Sequence, residues 1–318
     1  MSDESVVANT NDLVDFTVDN IVGNDGKTDS NLEAIDICVN LAGKRFSNNK
    51  RDKILRRAAD ASITHVVLCS TNEAAIKSHL RMMQYYEKND APVSMIMTAG
   101  THPHDAKGWR PNYTSRVIEN AIKQNPGKIK VIGECGLDYD RMFSTVDEQS
   151  ICFREQIRLA KKLDLPLFLH ERSAHSQFVS ILEKEIRKID GVGAEEPISI
   201  RGVVHCFTGN YDQMMKYLSM GLYIGITGWI GESNNNRNSE LVSALKRVAT
   251  EPDNISLLKS RLMVETDTPF LSPIERRGIN EPSNTQVVLK KVSEYLGVDY
   301  QELAPIVYRN TIEFFDLS

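Results

Sequence analysis

From Ala34 onward, short apolar runs alternate with amphipathic stretches of helical spacing. The runs at 34–41, 64–70, 93–100, 128–134, 166–170, 198–207, 222–227 and 261–267 are rich in β-branched residues and more continuous than alternating. Strands covered on both faces have that character. Helical spacing fills Lys50–Ala61, Asn72–Lys88, Thr114–Gln124, Asp147–Leu163, Ala174–Ile189, Asp212–Ser219 and Ser239–Val248, with Asn284–Leu296 after the last run. This alternation predicts a parallel sheet, because parallel neighbours need crossover connections. The eight units predict a (β/α)8 TIM barrel over residues 34–318. An open doubly wound sheet is the structural alternative, since periodicity does not show closure. A final helix, Gln301–Phe315, is expected on the outside of the barrel.

Charge separates the first 33 residues from the rest. They hold eight acids and one base, a net of −7, whereas the whole chain carries −5, so the body is near +2. The segment 1–33 reads as a disordered acidic extension, either a solvated appendage or a strand of negative charge that competes with a polyanion for the active-site mouth. No run approaches a membrane span, and Met1 is followed by acidic and polar residues. The expected location is the cytoplasm, with the nucleus as alternative. The five cysteines are odd in number and lack CxxC spacing, which suits reduced thiols.

The candidate chemistry lies at strand ends. Glu134, His170, His205 and Asp267 each stand at the carboxyl end of an apolar run. Glu134 to His170 is 36 residues and His170 to His205 is 35, about one βαβ unit each; Asp267 follows 62 later, about two. The four therefore advance around one barrel mouth, where such folds place catalysis. Each has a plainer reading: Glu134 pairs with Arg141 or Arg172, and a lone histidine is a satisfied core residue. Repetition in adjacent units favours a metal site and a metal-dependent hydrolase.

The strings GECGLDYDR, LHER, VVHCFTG, ETDTPFL and NEPSN, in that order, resemble the TatD-related deoxyribonuclease family. The resemblance covers about Asp36 to Phe315. It implies a (β/α)8 fold, metal-dependent hydrolysis of DNA phosphodiesters, and metal ligands at Glu134, His170, His205 and Asp267. Many members open with Asp-x-His-x-His on the first strand. Here Asp36-Ile37-Cys38-Val39-Asn40 stands instead, as in a branch that also lacks the histidines. One firmly bound divalent ion (Mg, Mn or Zn) is expected, and a second bound weakly or only with substrate. Cys38 is either a soft ligand or a small core residue; Asn40 is placed to orient a water or a phosphate.

The expected catalytic set is Asp267 as general base, Glu134 as a bridge to a second ion, and His102, in GTHPHDA, as an acid or phosphate contact. His102 otherwise staples its loop through a hydrogen bond beside Pro103. His104 is expected at the periphery, and His65, His79 and His175 without chemistry. Glu265 and Arg172 are expected to support ligands or substrate. A body near +2 argues against broad duplex binding and for attack on single-stranded or frayed DNA ends. Lys44, Arg45, Lys107, Arg110, Arg141, Arg276 and Arg277 are candidate phosphate contacts, and Trp109, Tyr139, Phe207 and Trp229 candidate stacking platforms. No required protein partner is evident. The alternatives are a hydrolase of a small amide, lactone or phosphoester, and a catalytically silent binding protein of the same fold.

Overall fold

The computed structural model describes residues 31–317 apart from 44, 195, 232–237 and 274–277. Most of the acidic extension, together with Lys44, Arg276 and Arg277, lies outside the described residues.

The strands are β1 (Ala34–Val39), β2 (Ile63–Leu68), β3 (Ser94–Ala99), β4 (Ile129–Asp138), β5 (Leu167–Arg172), β6 (Gly202–Val204), β7 (Tyr223–Ile226) and β8 (Leu262–Val264). They pair in chain order, each parallel to the next. Val39 bridges to Thr268, and the Asn40 amide donates to the Thr268 carbonyl at 2.8 Å, which brings the last unit back to the first. Asp36 adds a polar clasp: its carboxylate accepts from the Thr266 amide at 3.0 Å and the Thr266 hydroxyl at 2.5 Å. The sheet is thus the barrel of a (β/α)8 fold, and the open-sheet alternative falls.

Connecting helices are α1 (Asn48–Asp60), α2 (Glu73–Tyr86), α3 (Tyr113–Gln124), α4 (Val146–Leu163), α5 (His175–Asp190), α6 (Tyr211–Ser219), α7 (Ser239–Ala249) and α8 (Pro252–Lys259), followed by α9 (Thr285–Leu296) and α10 (Tyr300–Phe315). The sequence reading joined β7 to β8 through one helix. Pro252 at the first helical turn instead starts α8, since proline fixes φ for a helix start and needs no hydrogen-bond partner for its nitrogen there. Among the described residues, no helix is long and apolar enough to cross a membrane.

Two apolar layers hold the barrel. Strand faces pack against the helices outside, and Ile35, Ile37, Val67, Val131, Phe168 and Met263 fill the inside. Phe314 and Phe315 of α10 belong to this inner cluster. The last helix lies against β1, β8 and α9 on the outside, as expected, and its C-terminal end also reaches the inner cluster. Its end lies at the N-terminal ends of the strands, where the Phe314 ring centroid is 5.0 Å from Tyr223 and Lys130 Nζ donates to the Asp316 carbonyl at 2.9 Å. Burying a Phe side chain contributes about 1.5–3 kcal/mol, so α10 is part of the core.

Candidate metal centre

Strand boundaries shift the chemistry relative to the sequence reading. β4 runs four residues past Glu134, so Glu134, Gly136 and Asp138 alternate along one face. His170 lies inside β5, His205 directly after β6, and Asp267 three residues past β8 with φ of 56°. Gly136 is obligatory at this crossing: its φ is 145°, and a Cβ there would collide with the His170 carbonyl oxygen.

One carboxylate oxygen organises the centre. Glu134 Oε1 lies 2.8 Å from His205 Nε2, 3.0 Å from His170 Nδ1 and 3.2 Å from His102 Nε2. Its other oxygen accepts from Cys69 Sγ at 3.3 Å. Neither Arg141 nor Arg172 pairs with it; Arg172 instead meets Asp140 at 2.7 Å. Burial alone would raise the Glu134 carboxyl, but the His102 and His205 rings and the hydrogen bonds they and His170 make outweigh it and hold the group well below the usual range. Burial works against charge on His170 and His205 too. Asp138 and Glu134 raise His170 nonetheless, while Glu134 and Glu265 raise His205 well above its ordinary value.

His102 behaves differently. Its Nδ1 accepts from the His104 amide at 3.0 Å, which places the proton of the neutral ring on Nε2, facing Glu134. Burial lowers its pKa, so the ring presents a neutral N–H donor, whereas His170 and His205 are held in the protonated form by their carboxylate neighbours. Loop stapling and a donor role are thus two nitrogens of one ring.

Asp138, which the sequence reading passed over, ties the histidines together. Its Oδ2 lies 2.8 Å from His104 Nε2 and 3.3 Å from His170 Nε2, and its Oδ1 accepts from the Asp140 and Arg141 amides at 3.0 and 2.8 Å. The alternation from Glu134 was the available signal. His104 is therefore part of the network and not peripheral. Two buried glutamines of α4 fix both loops. Gln149 accepts from the Asp138 amide at 2.8 Å and donates to its carbonyl at 3.0 Å; Gln156 does the same for Thr101, beside His102, at 2.8 and 2.9 Å. Nothing in their helical spacing marked them.

On the far side, Asp267 Oδ1 accepts from Cys38 Sγ at 3.4 Å, and burial above all pushes its pKa up to about 7. Glu265 is fully buried; its Oε1 accepts from the Cys206 amide at 2.5 Å and lies 3.3 Å from His205 Nδ1. Glu265 Oε2 has no hydrogen-bond partner. The Asn40 side chain is half-buried at the end of β1, where its backbone amide is held by Thr268. His65, His79 and His175 bond to Thr64, Ser70 and Tyr217 and stay outside the centre.

Donor atoms of His102, Glu134 and His170 converge within 4.8 Å, as do those of Cys38, His205 and Glu265. Buried carboxylates that outnumber their positive partners, one with an orphaned oxygen, fit a divalent cation. Imidazole among the donors suits Mn or Zn better than Mg.

A cleft of about 840 Å³ opens beside the centre, lined among others by Tyr139, Arg172, His175, Gln177, Gly209 and Trp229. The Arg172 guanidinium stands 5.9 Å from the Trp229 ring centroid. Trp109 and Phe207 are buried in the core, so only Tyr139 and Trp229 of the four candidate platforms face the cleft. Phe143, 59% exposed, adds a ring 4.8 Å from His104 that the sequence reading did not single out.

Similarity to known proteins runs over the same residues. A 3'-5' ssDNA/RNA exonuclease TatD from Shigella flexneri is 33% identical over 290 residues, 89% of this chain and 99% of that protein. The crystal structure of the TatD homologue YJJV from Escherichia coli superposes with a TM-score of 0.73 at 24% identity, covering 90% of this chain and 98% of that one. A TatD family hydrolase from Entamoeba histolytica gives 0.72 at 24% identity, covering 89% and 98%. Residues 35–316 match the TatD related DNase family, and the chain belongs to it.

Proposed function

We propose that the protein is a metal-dependent exonuclease that hydrolyses phosphodiester bonds at single-stranded or frayed ends of DNA. The observation that carries this reading is the convergence of three imidazoles on one oxygen of Glu134 at the carboxyl ends of the barrel strands. The 33% identical Shigella relative, named for action on single-stranded DNA and RNA, supports the substrate class and extends it to RNA ends.

Glu134, His170, His205 and Asp267 would hold the ion. A divalent cation there supplies Lewis acidity, lowering the pKa of water from about 15.7 towards 7 and polarising a phosphate oxygen. Asp267, with a carboxyl pushed up to about 7, is suited to accept a proton on its free oxygen near neutral pH. His102 Nε2–H is a donor for a phosphate oxygen or for the leaving 3'-oxygen. Asp138 orients His170 through Nε2 and leaves Nδ1 for Glu134 or the ion. Arg172 and Trp229 supply charge and a stacking face for the strand in the adjoining cleft.

The test is hydrolysis of end-labelled single- and double-stranded DNA with Mg or Mn, and with chelator. A ladder growing from one end, faster on single strands and abolished by chelator, is expected. No cleavage under any metal would sink the reading, and full turnover by Asp267→Asn at saturating metal would remove the general base.

A further inference from the structure

We propose that His175 reads the strand in the cleft, its Nε2 lone pair accepting a hydrogen bond from a donor on the nucleotide held there, either an N–H of the base or the 2'-hydroxyl of a ribose. The inference rests on the nuclease reading above and assigns one specificity contact within it.

The placement of one proton fixes the ring. Glu171, from β5, uses both carboxylate oxygens as acceptors: Oε1 takes the Ala174 amide at 2.7 Å and Oε2 the Tyr217 hydroxyl at 2.9 Å. A phenol has a single proton to give. With that proton turned to Glu171, the Tyr217 oxygen, 2.9 Å from His175 Nδ1, is left to accept, so Nδ1 carries the ring proton. Tyr217 is fully buried, and burial, reinforced by Glu171, raises its pKa, so the hydroxyl stays protonated. Burial above all lowers the His175 pKa, which keeps the ring neutral near pH 7 and leaves Nε2 a lone pair.

The geometry turns that lone pair outward. His175 opens α5 and is half-buried, with Nδ1 on the core side against Tyr217 and the ring in the wall of the cleft. Nε2 stands across Cε1 from Nδ1 and has no hydrogen-bond partner among the described residues. His79 also meets a hydroxyl through Nδ1, yet it is buried and lies outside this cleft.

Two carboxylates of the same wall are already engaged, Asp140 by Arg172 at 2.7 Å and Glu171 by its two donors. An uncharged acceptor suits a site for nucleic acid, because a free carboxylate would repel the phosphates that Arg172 attracts. The Trp229 ring offers a stacking face in the same cleft, and a stacked base turns its edge, where its N–H donors lie, to the surrounding wall. The contact is a neutral N–H···N or O–H···N hydrogen bond, and no proton is transferred.

The test has two parts. Long-range proton–nitrogen NMR of the unsubstituted protein, with the His175 ring assigned through its backbone, is expected to show a protonated Nδ1 and a bare Nε2 near neutral pH. A protonated Nε2 would overturn the proposal, and this measurement needs no folded variant. The second part compares KM for three single-stranded homopolymers: oligodeoxyadenosine, the same strand with purine lacking the 6-amino group, and the ribonucleotide strand of that purine. If the base is read, loss of the amino group raises KM by about fivefold; if the sugar is read, the ribonucleotide strand has a KM lower by about fivefold than its deoxy counterpart. His175→Phe is expected to abolish whichever preference is found. Equal KM for all three strands, or a preference that survives in a folded His175→Phe, would overturn this contact alone. Cleavage of none of them with Mg or Mn would overturn the nuclease reading and the contact with it.

Discussion

His102 Nε2 stands 3.2 Å from Glu134 Oε1 as a donor, because its Nδ1 is already engaged by the His104 amide. A ring fixed in that tautomer contributes a proton, not a lone pair. His102→Ala should lower kcat by about 10²-fold or more, the usual scale for a lost general acid. Metal affinity, measured by calorimetry, should change much less. A collapse of metal binding with unchanged kcat at saturating metal would reverse the assignment.

Asp138 acts one step further out. It touches His170 and His104 but has no place at the reacting atoms. Asp138→Asn keeps an acceptor for the Asp140 and Arg141 amides and removes the charge that orients His170. Metal affinity should fall by about 10–100-fold, as for other partners of ligand histidines. Activity should return at high metal concentration; failure to recover would show a role beyond positioning.

The cleft makes a prediction about length. Trp229 faces it beside Arg172, and stacking one base on an aromatic ring is worth about 1–3 kcal/mol. Trp229→Ala should raise KM for single-stranded oligonucleotides by about tenfold and leave a dinucleotide substrate that does not reach the cleft unaffected. Equal effects on both would place the ring elsewhere in the reaction path.

A pH effect on stability follows from His79, buried behind the centre with Nδ1 2.8 Å from Ser70 Oγ. Burial, with a lesser push from Arg51, lowers its pKa from 6.5 to about 4. Between those values the unfolded chain binds a proton that the folded chain does not. Stability therefore falls as pH drops from 6.5 towards 4, by up to roughly 3 kcal/mol at 1.36 kcal/mol per pKa unit. Denaturant melts of His79→Asn should show a flatter acid limb than the unsubstituted protein. Parallel limbs would assign the acid loss to other groups.

Much of this architecture is legible in the residues. Continuous β-branched runs and helical spacing marked every strand, and Glu134, His170 and His205 do meet at one oxygen. Other features left weaker traces or none. Asp138 was marked only by a two-residue alternation that continues past the apparent end of β4. Gln149 and Gln156 occupy ordinary core-facing helix positions, and only the loops they meet reveal their role. The pairing of Cys38 with Asp267 joins the first strand to the turn after the last, 229 residues apart, a distance no local pattern spans.

The clasp between Asp36 and Thr266 joins the first unit to the last, and beside it lie Cys38 from one and Asp267 from the other. No contiguous fragment that stops short of β8 contains the whole centre. Asp267, Glu265 and Thr266 reach the centre only when the last unit meets β1, so closing the ring is what completes the donor set.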